Sequence, residues 1–527
     1  MVAIITAISL ATVLGLGNAV FRSPAPQAPG ADVSRAAGSE LRIAGSAPAS
    51  WDPALQSDAG SAGTLAQIYE GLTAFDAQSQ VQPALAESWQ LQEEGRRLVF
   101  LLRPGLRFSD GSPLTAQDVV RSWLRLLDPD RPAPLASLLA DVRGAATYLQ
   151  GEGTPDEVGL RADGDQVIVE FRRPASYFLA AAASPSLSIV PEDLPDGIAL
   201  PVLPRDLVVS GAYRPTEQIE QTITLEANEH YWAGTPALTD VQIVTDLEGR
   251  SPVDAFTDGA VDYTPISASD ASWIRYDESL GPQLRRTESF SVDYYGFDTA
   301  RPPFDDPLVR RAFAQAVDWD RLVRLADADS MPATSLVPPG IADRSEVDFS
   351  PVFDPDAARA ALAEAGYPGG EDFPEVALST SGYSYDEAIA RELGDVLGVT
   401  VRVEARPFDE LFQRLQSDSP PFWALSWIAD YPDQYDFLGL LLETGSTNNY
   451  SRWSNSDYDA ALQEAATTTD PAEQARWYEA AQRIVQEQAP VIPVSYGESW
   501  ALSRAGLLGA VESGVGLIRY AGLAWSP

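Results

Sequence analysis

Cysteine and lysine are both absent from this chain of 527 residues, which has one histidine and two methionines. Without cysteine there is no disulfide scaffold, no thiolate metal site, no cysteine nucleophile and no acylated cysteine to hold the chain at a membrane. Without lysine, lysine-based catalysis is excluded. His230 has no second imidazole with which to complete a metal site, and Ser–His chemistry would rest on it alone. It lies in Asn228-Glu229-His230-Tyr231-Trp232, beside two aromatics, a setting for a structural or surface role. Neither cofactor nor metal is expected. Positive charge is scarce too: the formal net charge is −40, with 76 acidic residues against 36 basic ones, all arginine. Phosphate binding needs clustered cations, so the balance argues against a nucleic-acid partner. The acidic surplus reads as a solvated surface, one that stays hydrated in concentrated salt. Among so many carboxylates some pair always has the spacing for glycoside hydrolysis, so a secreted glycoside hydrolase stands as an alternative without a specific signal.

What is present begins with Val2 to Phe21, an uncharged and almost wholly apolar run long enough to span a bilayer. Gly17-Asn18-Ala19 offers a small-x-small cleavage site, although no basic residue precedes the run. Residues 1–22 therefore read as a cleaved signal peptide or an uncleaved anchor, and 23–39 as a Pro/Ala/Gly-rich linker. Either way the body is expected outside the cytoplasm, in the periplasm or on the outer face of the membrane.

The body is too long for one core and mixes strands with helices, which gives an α/β class. Asp306-Pro307, Asp354-Pro355 and Asp470-Pro471 each predict a helix start, Asp capping and Pro fitting the first turn. Val309, Ala312, Phe313, Ala316 and Val317 then form one apolar stripe. Ala357 to Ala365 reads as a helix closed by Gly366. Gln166 to Phe171 and Val399 to Val403 read as strands.

The most informative stretch is Leu98 to Pro129. Leu98 to Leu102 is apolar on both faces and predicts a buried strand; Asp110-Gly111 signals a turn; Thr115 and Asp118 make a near capping box before a helix carrying Val119, Trp123, Leu126 and Leu127. Leu102-Arg103, Ser109-Asp110-Gly111, Thr115-Ala116 with Asp118, and Trp123 together resemble the extracellular solute-binding proteins of family 5, the oligopeptide-, dipeptide- and nickel-binding proteins of ABC importers. The resemblance extends over nearly the whole chain after about residue 40. It takes in Trp51-Asp52-Pro53, Tyr69-Glu70-Gly71-Leu72, Pro83 to Trp89, Gly211-Ala212-Tyr213, Asn228 to Trp232, Phe304 to Ala312, Ala365-Gly366-Tyr367, Trp427 to Phe437 and Ala489 to Val494.

That resemblance implies a periplasmic-binding-protein-like type II fold of the cluster C kind, with two large lobes, a hinge and a smaller extra lobe. By it, 40–75 with 200–297 and 496–527 form lobe I, 76–199 the extra lobe II and 298–495 lobe III, with hinge segments near Tyr294–Asp298 and Val494–Glu498. It implies a monomeric substrate-binding component that captures peptides by closing its lobes and delivers them to a membrane permease, with no catalysis. A membrane-anchored ligand sensor is the other alternative. In the family's peptide binders, the backbone at the positions of Ser426 and Ile428 pairs with an extended ligand, Asp430 matches the carboxylate that holds its amine, and Trp427 and Tyr431 lie alongside. Ser57, Asp58 and Ala59 fall where the opposite lobe supplies its edge.

The residues themselves leave other readings open. Asp430 would equally cap the turn Tyr431-Pro432-Asp433, and Trp427 serves equally as pocket wall or core; Trp89, Phe108 and Trp123 read as core. Two positions depart from the family pattern: Leu135 stands where some members grip peptide with a Tyr, and Ala424 where an Arg meets a ligand carboxylate. Arg414 is the candidate replacement. A kept amine anchor and lost far-end grips favour ligands with a free amine and a variable remainder.

Overall fold

The computed structural model describes residues 40–527, apart from 57–58, 195–201, 205, 220, 327–330 and 469. The signal or anchor segment and the linker lie outside the described residues. Among those described, no helix is long and apolar enough to cross a membrane.

Two long strands, Leu284–Phe297 and Val491–Ser503, run side by side through the middle of a large mixed sheet. On one flank, Phe422–Ile428 pairs with the first of them, followed by Val376–Thr380 and Val401–Ala405, these three mutually parallel. On the other flank, Tyr263–Ile266 pairs with the second, followed by Glu40–Ala44 and Asp240–Val244, and then by antiparallel Thr222–Ala227 and Tyr213–Ile219. The long strands thus belong to both large lobes, as a type II two-lobed fold requires. Their register breaks between Glu288 and Val292 and again at Asp293 and Tyr294. Tyr294 to Phe297 are buried and regularly paired with Phe422–Leu425. The irregular stretch therefore lies just upstream of the first expected hinge segment, and its partner strand crosses it within Val494–Glu498. At Gly497 a Cβ would meet the Ser291 hydroxyl, which would have to rotate away.

The extra lobe carries its own antiparallel sheet, ordered Ala86–Gln92, Arg97–Leu102, Gln166–Glu170, Leu160–Asp163. Within Arg97–Leu102, Leu98, Phe100 and Leu102 are buried while Val99 and Leu101 are half-buried, so the strand covers one face fully and the other only in part. The helix Ala116–Leu124 starts on a complete Thr115–Asp118 capping box and ends in a 3-10 turn, Arg125–Leu127. Its Trp123 is inaccessible, meets Phe100 and Phe178 edge-on, and donates from Nε1 to the Leu187 carbonyl at 2.8 Å. Phe108 is buried and Trp89 half-buried against the same core.

All three Asp-Pro helix starts form: Asp306, Asp354 and Asp470 each accept a first-turn backbone N–H. The apolar stripe after Asp306 packs into the core of the second large lobe. Strand Val401–Ala405 begins two residues later than its β-branched run predicts, because Gly398 closes the preceding helix in the left-handed region. Several family-like motifs prove to be long-range ties. Asp52 caps the turn after Trp51 and pairs with Arg125 of the extra lobe. Glu70 is held by Arg519 at 2.7 Å and by the Tyr231 hydroxyl at 3.2 Å.

Candidate functional site

Ligands of open α/β sheets bind beyond the carboxyl ends of the strands. In the second large lobe those ends are Thr380, Ala405 and Ile428, and the chain leaving the last of them is Ala429-Asp430-Tyr431. Strand Phe422–Ile428 pairs along one side over its full length, but on the other only at Phe422 and Trp423. Ala429 N–H donates to the Phe290 carbonyl at 2.8 Å. Antiparallel bonding alternates, so the N–H and C=O groups of Ser426 and Ile428 point away from Leu284–Phe297, toward the edge left open. Ser426 is exposed and so is Ile428, at 52%. The geometry suits an added strand.

At the end of that edge lies a group of carboxylates. Asp436, wholly buried on the helix Gln434–Leu442, accepts the Trp427 indole N–H at 2.7 Å and the Asp430 backbone N–H at 3.2 Å. Trp427 is therefore half-buried, with its indole fixed by Asp436. Asp433 caps the helix by accepting from Tyr435 N at 2.8 Å. The cap is Asp433 and not Asp430, whose carboxylate accepts no hydrogen bond among the described residues. Burial pushes Asp430 up to about 6 and Asp433 to about 6, and raises Asp436 well above the carboxylate range, where the charge of Asp430 adds to the burial.

The remaining expected residues are placed as follows. Tyr431 is buried, with its ring stacked 5.4 Å from that of Tyr177. Arg414, on the helix Phe408–Ser417, sits 3.8 Å from Glu404, two strands away from Ser426. Ala59 opens the helix Ala59–Ile68, while Ser57 and Asp58 lie outside the described residues. The structure thus brings together Ser426, Trp427, Ile428 and Asp430, and it does not bring Arg414 to them.

A second constellation went unnoticed in sequence. Asp293 lies between Ser426 and Ser495 on its two neighbouring strands and accepts from both hydroxyls, that of Ser495 at 2.7 Å. Tyr383 meets the Ser426 hydroxyl at 2.7 Å, and Tyr385 meets that of Ser495 at 3.4 Å. Burial raises Asp293, and these hydroxyl donors oppose the rise. The available signal was one charge inside the apolar run Phe290 to Phe297.

Charge pairing separates these groups from the rest of the molecule. Among the described residues, seven carboxylates are fully buried. Asp52, Glu70, Asp141, Asp262 and Asp298 each meet an arginine. Asp386 and Asp436 do not, and they stand behind the Tyr383–Tyr385 loop and behind Asp430 respectively. Asp293, Asp430 and Asp433 likewise make no ion pair with an arginine among the described residues. Buried charge is costly unless it is paired, so among the described residues these carboxylates lack the positive charge that the arginine-paired acids have.

Comparison with known proteins agrees with this architecture. The family model described as bacterial extracellular solute-binding proteins, family 5 Middle, matches residues 80–449. The chain is 30% identical over 467 residues to the probable deoxycholate-binding periplasmic protein YgiS of Escherichia coli, covering 85% of this chain and 86% of the relative. It is 27% identical over 502 residues to the oligopeptide-binding protein OppA of Bacillus subtilis, covering 90% of each. Among solved structures, the murein tripeptide binding protein MppA of Escherichia coli superposes with a TM-score of 0.78 at 24% identity, covering 93% of this chain and 98% of that one, a likeness of fold.

Proposed function

This chain belongs to the bacterial extracellular solute-binding proteins of family 5, and from that premise we propose that it captures oligopeptides or dipeptides between its two large lobes and passes them to a membrane permease. The observation that carries the reading is the open backbone edge at Ser426 and Ile428, ending at the unpartnered carboxylate of Asp430. A peptide adding itself as a strand satisfies the edge whatever its side chains, and its α-ammonium supplies the missing charge to Asp430. A ligand without an amine leaves that carboxylate desolvated and unpaired.

Lobe I then comprises 40–75, 200–297 and 496–527, lobe II 76–199 and lobe III 298–495. By the family pattern, Ser57, Asp58 and Ala59 are the candidates for the strand edge supplied by lobe I. The ligand favours closure only by touching both lobes. The protein acts as an extracytoplasmic monomer, with no bond made or broken. Deoxycholate, for which the 30% identical relative is named, is an anion; the uncompensated carboxylates at this site would repel it, which favours the peptide reading.

Native mass spectrometry of the purified body, followed by denaturation, tests the proposal. Released short peptides that are absent from the Asp430→Ala variant are the expected result. A retained bile acid, sugar or metal chelate would overturn the peptide assignment while leaving the family intact.

A further inference from the structure

The peptide reading accounts for Asp430 but leaves Asp293 without a task. Its setting differs from that of the five arginine-paired buried acids, and it differs from that of Asp386, which hydroxyls also hold, in being only half-buried. Each of the five arginine-paired buried acids is fixed by a guanidinium, whereas Asp293 is held only by neutral hydroxyls, from Ser426 and Ser495, with Tyr383 and Tyr385 behind them. It is also half-buried, and the groups on its outer side, Ser426 and Tyr383, are exposed and half-buried respectively. A carboxylate within a ring of four hydroxyl donors is well placed to stay ionised, and a cation would bond it by displacing one of these neutral donors, the exposed Ser426 hydroxyl first. One member of the ring, Ser426, lies on the strand that leads into the proposed amine anchor, four residues before Asp430. Its open face borders the backbone groups to which the ligand strand would bond.

We infer that Asp293, within the ring of Ser426, Ser495, Tyr383 and Tyr385, is a specificity-determining group that accepts a basic side chain of the ligand near its amino end. The inference rests on the peptide reading and extends it: ligands carry two positive charges, the α-ammonium at Asp430 and a lysine or arginine at Asp293. Alternation along a strand sends every second ligand side chain to one face, so a single ligand position, rather than overall charge, is selected. Hydrogen bonds to ionised groups are stronger than neutral ones, and here the bond also relieves a desolvated carboxylate.

The test is calorimetry of the purified body with tetra-alanine and with tetrapeptides carrying one lysine or one norleucine at the second, third or fourth position. At one position lysine binds about tenfold or more tighter than norleucine, and at the others the two are nearly equal. In Asp293→Asn the ratio at that position falls to about one. Ser495→Ala, which keeps the carboxylate and removes one donor, retains a preference for lysine and serves if the first variant does not fold. Binding of tetra-alanine with no lysine preference at any position overturns the role of Asp293 and leaves the peptide reading standing. Failure of every tetrapeptide, and of di-alanine run beside them, to bind overturns both.

Discussion

Acid should release the ligand. Asp430 titrates at about 6 in the empty site because burial penalises its charge. A peptide ammonium requires the ionised form, so binding expels the proton. Lowering the pH from about 7.5 to about 5 takes such a carboxyl from almost fully ionised to roughly one-tenth ionised, which weakens the apparent affinity about tenfold, or about 1.4 kcal/mol. Above about pH 7 the peptide's own amine begins to lose its charge, so affinity has its maximum near neutrality. Stability of the empty protein runs the other way. With Asp430 and Asp433 both raised to about 6, the native chain binds more protons than the unfolded chain between about pH 4 and 6. This contribution is fully present below the unfolded-state pKa and is lost as pH rises through the folded one. Titration calorimetry with one tripeptide, in two buffers of different ionisation enthalpy, reads both affinity and proton release. Equal affinity at both pH values with no proton released would refute the reasoning, and Asp430→Asn should abolish the dependence.

Two further outcomes concern the frame that carries the site. Arg173 of the extra lobe bonds Asp141 at 2.8 Å, and Tyr435 and Glu443 at the helix beside Asp430. Its side chain is 20% exposed, so Arg173→Met should cost about 2 kcal/mol, less than a fully buried pair, read as a lower urea midpoint. Trp123→Ala empties the centre of the extra lobe and should cost about 3–5 kcal/mol, read in the same way.

Local chemistry was legible in the sequence wherever one residue decides the conformation. Asp306, Asp354 and Asp470 cap as their Asp-Pro pairs predict, and Thr115 with Asp118 closes its box, because these bonds span three residues or fewer. The family could be read from motifs whose meaning could not. Trp51-Asp52-Pro53 and Tyr69-Glu70-Gly71-Leu72 look like local signatures, but Asp52 and Glu70 work through Arg125 and Arg519, far along the chain. The distinction between Asp430 and Asp433 was equally hidden. Both are acids near a turn, and only the backbone path makes Asp433 the cap and leaves Asp430 unpartnered. Asp293 was missed because its hydroxyl ring is assembled from three strands and a loop. Arg414 is hidden for the opposite reason: its spacing from Asp430 along the chain says nothing about Glu404, the acid it meets.

The central claim is that a free amine docks on Asp430. The most direct measurement compares binding of one tripeptide with that of its N-acetylated form, at neutral pH and by calorimetry. Acetylation leaves the backbone edge intact, removes the charge and strands the carboxylate, so affinity should fall about a hundredfold or more. Equal binding of the two forms would contradict the account, since the carboxylate that defines the site would then have no part in holding the ligand.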